Sequence, residues 1–305
     1  MTFDVVFLGT GAAVPVPSRG TTSQFVDIHS HTYLIDAGEG VQLALRKNRR
    51  RFQKLKGVFI SHMHGDHVLG LPGLLSTMSL LGRKDVLEVW GPPELEGWLR
   101  STWKAIEAHM MFDVHVRPWS STEELVLAET NRYRLTSIPV KHRVACCALK
   151  VEEHSLPWKL DGPKAGKANL PFHVRQKLKC GEQVEHEGHM LRPEDWCQRP
   201  AKARSYVYSA DTRPCERLRK AADGVTVLYH DSTFSAADHE RAKSTYHSTT
   251  VEAARLASQA KVGTLILGHI SLRYRDVDQL RAEALEWHER VEVATDGMVW
   301  RVGLT

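Results

Sequence analysis

The run His62-Met63-His64-Gly65-Asp66-His67 constrains this chain more than any other stretch. It places three imidazoles and one carboxylate within six residues, directly behind an apolar, β-branched segment at 58–61 that reads as a buried strand. A strand end holds its loop rigidly, so these side chains would converge rather than scatter. Such density suits two adjacent divalent cations. Neutral imidazole and carboxylate are ligands that zinc accepts, and a catalytic zinc keeps one coordination position open for water. A structural cage is more often closed with thiolates, and the run contains none. The competing reading is a histidine-rich surface loop that holds metal only incidentally.

Three distant residues favour the first reading. His142 follows a strand pattern at 133–138, Asp211 follows one at 205–208, and His269 follows one at 262–267. Each stands just beyond a strand's C-terminal end, where α/β proteins collect functional groups. Further strand patterns lie at 3–8, 24–28, 32–35, 87–90, 114–119, 145–151, 225–229 and 291–294, and the pair flanking His29-Ser30-His31 reads as a hairpin. Helical spacing appears at 41–51, 93–108, 214–222, 249–259 and 277–289. An αβ/βα sandwich, two sheets covered by helices, accommodates this alternation. The apolar stretch 68–81 reads as buried core, with a share in a dimer interface as the alternative.

With 305 residues, 42% hydrophobic and 25% charged, the chain has the balance of an ordinary globular enzyme, which excludes a disordered or fibrous class. No apolar run approaches the roughly 20 residues of a spanning helix, and the first strand pattern begins without a signal-peptide layout. A cytoplasmic location with no membrane association is the expectation. The five cysteines form no C-x-x-C pair and are odd in number, so they read as reduced thiols and not as ligands.

The net charge of +5 is mild, but its distribution is uneven. Residues 152–204 are rich in glycine and proline and lack sustained periodicity, as an insertion would be. From Lys159 to Lys179 the bases Lys159, Lys164, Lys167, Arg175, Lys177 and Lys179 face only Asp161. A solvated linker would look the same.

The ligand series resembles that of metallo-β-lactamase-fold hydrolases, and flanking words narrow the likeness. Phe7-Leu8-Gly9-Thr10-Gly11-Ala12-Ala13, Ile35-Asp36-Ala37-Gly38-Glu39-Gly40, Tyr208-Ser209-Ala210-Asp211-Thr212-Arg213, His230-Asp231-Ser232-Thr233-Phe234, His247-Ser248-Thr249 and Leu267-Gly268-His269 are similar to motifs of the ribonuclease Z family. The resemblance spans essentially the whole chain. It implies a four-layer αβ/βα sandwich over residues 1–305 with an inserted flexible arm, or exosite, at 152–204. It also implies a cytoplasmic homodimer that removes the 3′ trailer from precursor tRNA, leaving a 3′-hydroxyl on the tRNA.

Carried over position by position, the resemblance gives His62, His64 and His142 to one Zn²⁺, gives Asp66, His67 and His269 to a second, and makes Asp211 the bridge. Asp66 would orient the attacking water and take its proton. His247 would protonate the departing ribose oxygen, with Asp231 holding its ring. The family commonly has glutamate where this chain has Asp231. For tRNA binding, Arg19 would meet a phosphate near the cut, and Lys159, Lys164 and Lys167 would serve the arm, whose Gly162-Pro163 echoes a family motif. A hydrolase of small phosphodiesters, lactones or thioesters could use the same cage and is the rival reading.

Overall fold

The computed structural model describes residues 2–303. Strict alternation along the strands builds the layers. In the strand Phe3–Gly9, Phe3, Val5 and Phe7 face one apolar cluster while Val6 and Leu8 face another. In Ser205–Tyr208, Tyr206 and Tyr208 point into the same first cluster and Val207 away from it. That shared cluster, rich in tyrosine and phenylalanine, lies between two seven-stranded sheets.

The first sheet runs Val299–Arg301, Phe3–Gly9, Ser23–Ile28, His31–Ile35, Leu55–Phe59, Leu87–Gly91, Val114–Pro118. Its first three pairings are antiparallel and the remaining three parallel. The second sheet runs Val291–Val293, Thr264–Gly268, Val227–Asp231, Ser205–Tyr208, Cys147–Glu153, Tyr133–Pro139, Leu125–Glu129, again half parallel and half antiparallel. Helices Val41–Lys47, Leu71–Leu80 and Glu94–Ala105 cover the first sheet, and Glu216–Ala221, Thr250–Gln259 and Asp278–Leu285 cover the second. The expected αβ/βα sandwich is therefore the observed architecture.

Departures from the sequence reading have local causes. The helix expected over 41–51 stops at Lys47, because Asn48 turns its side chain back onto Ala44 and Arg49 takes a left-handed φ of 53°. The strands Leu125–Glu129 and Val299–Arg301 were not expected. Both lie at the edges of sheets, where exposure removes the apolar signal. The stretch 68–81 contains a helix whose Leu71, Leu74, Leu75 and Met78 are buried, so core is its main role. Among the described residues no helix is long and apolar enough to cross a membrane.

Residues between Glu153 and Ser205 leave the second sheet and return to the neighbouring strand, which pairs Glu152 with Ser205. The segment is more ordered than its composition suggests. It forms helices Gly162–Lys167 and Phe172–Lys179 and two short ribbons around its own small cluster of Ala165, Leu170, Val174, Leu178, Val184 and Cys197. Most of the glycines and prolines fall at helix starts and turns, and they hid the i, i+4 pair Val174 and Leu178.

Candidate metal centre

All the candidate ligands gather at one end of the sandwich. His62 and Ser61 continue the strand Leu55–Phe59, and His64 precedes the short helix Gly65–Val68 that carries Asp66 and His67. Asp211 follows Ser205–Tyr208, and His269 follows Thr264–Gly268. Gly268 is required here, since a Cβ would lie 2.0 Å from the ring of Tyr229, whose hydroxyl accepts the His269 amide at 3.0 Å.

One ligand atom from each of His62, His64, His142 and Asp211 falls within 4.8 Å of the others, and the same holds for Asp66, His67 and His269. The Asp211 carboxylate touches both groups. Its Oδ2 is 3.6 Å from His62 Nε2, and its Oδ1 is 3.3 Å from His67 Nε2 and 3.4 Å from His269 Nε2.

Outer hydrogen bonds decide which nitrogen of each ring faces inward. Asp36, fully buried, accepts from His67 Nδ1 at 2.7 Å, from Ser61 N at 2.7 Å, from Ser61 Oγ at 2.8 Å and from the Tyr208 hydroxyl at 2.5 Å. Since Ser61 Oγ gives its proton to Asp36, it accepts from His62 Nδ1 at 3.0 Å. In the same way Thr233 Oγ1 donates to Asp231 and accepts from His269 Nδ1 at 2.8 Å, while His142 Nδ1 donates to the Tyr246 carbonyl at 3.0 Å. With the Nδ1 atoms of His62, His67, His142 and His269 engaged as donors, their four Nε2 atoms converge with carboxylates on one space, and His64 turns its Nδ1 toward it. His67 Nε2 and His269 Nε2 are only 3.4 Å apart, and His64 Nδ1 is 2.9 Å from His62 Nε2. Converging lone pairs repel unless a cation lies among them, and this donor set fits divalent metal.

The electrostatics agree. Burial opposes charge on His67, yet the Asp211 and Asp36 carboxylates overcome it and hold the ring well above the ordinary histidine value. Burial likewise pushes carboxylates up, but the surrounding histidines hold Asp66 and Asp211 well below their usual range. A proton on His67 and a metal cation answer the same concentration of negative charge.

His247 and Asp231 sit beside this centre. Asp231 is buried and receives His247 Nδ1 at 2.9 Å, Thr212 N at 2.9 Å, Thr233 N at 3.1 Å and Thr233 Oγ1 at 2.7 Å. Burial works against charge on His247, but the Asp231 carboxylate prevails and pushes its pKa up to about 9. The Asp231 carboxylate thus favours the protonated form of the His247 ring. The ring stacks on His269 at 5.1 Å between centroids and lines a cleft of ≈ 540 Å³ together with His64, Asp66, Asp211, Arg143, Arg241 and Arg273.

The sequence-derived RNA contacts fare less evenly. Arg19 turns its Nη1 inward, donating to Thr10 Oγ1 at 2.7 Å and to the Ala294 carbonyl at 3.0 Å. Lys159, Lys164 and Lys167 are all exposed, and Lys164 also donates to the Asp195 carbonyl at 2.6 Å and packs over Trp196. Asp36, Ser61, Tyr208 and Thr233 were missed as working residues. Asp36 had left a signal, a carboxylate closing an apolar strand just before Gly38.

Residues 3–144 match the family model described as Anti-Pycsar protein Apyc1. The chain is 37% identical over 284 residues to the ribonuclease Z of Parabacteroides distasonis, covering 92% of this chain and 93% of that one. It is 35% identical over 277 residues to the ribonuclease Z of Bacillus subtilis, with 89% of each covered. Among solved structures it superposes on human tRNase Z, short form, with TM-score 0.72 and 23% identity over 99% of this chain and 100% of that one. It also superposes on the metallo-β-lactamase fold protein YhfI of Bacillus subtilis, with TM-score 0.70 and 20% identity over 98% and 99% of the two chains. The structural likenesses establish the metallo-β-lactamase fold, and the two sequence matches, at this identity and coverage, establish that the chain belongs to the ribonuclease Z family.

Proposed function

We propose that this protein is a zinc-dependent endoribonuclease that removes the 3′ trailer from precursor tRNA and leaves a 3′-hydroxyl on the tRNA. The observation that carries the reading is the convergence of inward lone pairs around Asp211, next to a histidine whose protonated form is favoured by Asp231. His62, His64 and His142 would hold one zinc ion and Asp66, His67 and His269 a second, with Asp211 shared between them. When bound, such a pair lowers the pKa of water in the site and neutralises charge gathering on a phosphate.

The chain's own residues then move the protons. Asp66, lining the cleft, would orient the attacking water and accept its proton. As the water oxygen bonds to phosphorus, the bond from phosphorus to the ribose 3′ oxygen breaks. His247 donates its proton to that oxygen, and the Asp231 carboxylate compensates the imidazolium before transfer and keeps the ring oriented.

Residues 152–204 act as a tRNA-binding arm inserted into a single catalytic domain. The strand Cys147–Glu153 starts beside the metal centre and ends at the arm, and its seven residues separate the two by about 20 Å. A substrate that engages both must be long, which favours a structured RNA over a small ester. Lys159, Lys164 and Lys167 would meet its phosphates without reading sequence. We also propose a homodimer, supported by the exposed Leu69, Leu80 and Leu81 around the helix Leu71–Leu80, and a cytoplasmic location.

An Asp66→Ala variant separates catalysis from binding. It should lose RNA cleavage while still retarding precursor tRNA in a gel, and unchanged cleavage would contradict the mechanism.

A further inference from the structure

We propose that Arg213 is a positioning residue for the proton donor, and that Asp211-Thr212-Arg213 acts as a ruler between that donor and the metal centre. The inference rests on the reading of His247 as the donor.

Three consecutive residues each make one critical contact. The Asp211 carboxylate faces both ligand groups at 3.3 to 3.6 Å. The Thr212 amide donates at 2.9 Å to Asp231 Oδ2, the oxygen that also receives His247 Nδ1. Arg213 Nη1 donates to the His247 carbonyl at 2.6 Å. The histidine is thereby held at both ends from one short stretch, its ring through Asp231 and its main chain through Arg213.

Arg213 is itself fixed in place. Its Nη1 donates to Glu252 Oε2 at 2.8 Å, and its Nη2 donates to Glu252 Oε1. Glu252 is locked in turn by the capping box at the start of the helix Thr250–Gln259, where its Oε2 accepts the Thr249 amide at 2.9 Å and its own amide donates to Thr249 Oγ1 at 3.2 Å. The Arg213 amide donates to the Lys141 carbonyl at 2.8 Å, next to His142, and Ser248 Oγ donates to the Thr212 carbonyl at 2.6 Å. The His247 segment follows Tyr246, which has a left-handed φ of 62° and ends the helix His239–Thr245. A planar guanidinium can serve the carboxylate fork and the carbonyl at once, whereas a lysine ammonium on a flexible stem cannot hold that geometry.

The test compares two substrates that differ in their need for a proton. The ribose 3′ oxygen of a precursor tRNA leaves poorly without one, whereas nitrophenolate leaves bis(p-nitrophenyl) phosphate unaided. Arg213→Lys and Arg213→Gln, with Glu252→Gln reaching the same fork from its other side, are measured beside His247→Ala for kcat, KM, bound metal and Tm. The proposal predicts a loss of about 10- to 100-fold in kcat on the RNA. It also predicts unchanged RNA KM, unchanged metal content and unchanged hydrolysis of the nitrophenyl ester. Equal losses on both substrates, or impaired His247→Ala beside unimpaired Arg213 variants, would overturn the proposal alone. Wild-type RNA cleavage by His247→Ala would overturn the donor assignment and the proposal with it.

Discussion

His247 Nδ1 lies 2.9 Å from Asp231 Oδ2, so the shorter carboxylate of this chain reaches the ring that a glutamate would otherwise serve. The strand Val227–Asp231 extends through Asp231 itself, and the Thr212 and Thr233 amides clamp its oxygens, so no extra methylene is needed. Asp231→Asn keeps the shape but cannot balance an imidazolium. Steady-state cleavage of precursor tRNA should fall about 100-fold, with metal content unchanged and nitrophenyl ester hydrolysis largely kept.

Asp36 contacts His67 directly and His62 through Ser61, and so reaches a ligand in each of the two groups. Asp36→Asn should weaken metal binding about 10- to 100-fold. Competition against a chelating dye checks this without reference to activity. Loss confined to cleavage, with affinity intact, would contradict the orienting role.

How much of this was legible in the sequence depended on the range of the interaction. His62 to His67 declared themselves because six adjacent residues carry the chemistry, and His142, Asp211 and His269 because each follows closely on a strand. Asp36 was hidden because its partners His67 and Tyr208 come from distant segments, one of them in the opposite sheet. The inward bonds of Arg19 were hidden for a related reason. A surface-like proline turn gave no sign that Thr10 and Ala294 would draw its guanidinium inward. Edge strands and the insertion's small core were invisible because exposure and turn residues broke their periodicity.

Stability should respond to acid through Glu153, where the chain leaves the sheet. Burial would raise this carboxyl, but hydrogen bonds from the Arg204 side chain and amide overcome it and hold the pKa below the usual range, and His29 adds a contact at 2.8 Å. A depressed carboxylate stabilises fully above its unfolded value and loses that contribution as pH falls through the lowered folded value. Glu153→Gln should cost about 1 to 3 kcal/mol at neutral pH. In acid titrations of Tm, the gap from wild type should close toward low pH.

Replacing residues 155–200 with a short glycine linker tests the arm. Its apolar cluster is separate from the three that build the sandwich, so the body should keep its circular dichroism spectrum and its hydrolysis of bis(p-nitrophenyl) phosphate. KM for precursor tRNA should rise about tenfold or more as phosphate contacts are lost. An unfolded body would contradict the division into sandwich and insertion.

Incubation of metal-analysed protein with a precursor tRNA carrying a 3′ trailer, followed by mapping of the cut, tests the two-zinc endoribonuclease itself. The expected result is one cut that leaves a 3′-hydroxyl on the tRNA by protein holding two zinc ions per chain, with Asp211→Ala losing both metal and cleavage. An intact precursor after incubation with protein carrying two ions per chain, alongside hydrolysis of small phosphodiesters, would contradict it.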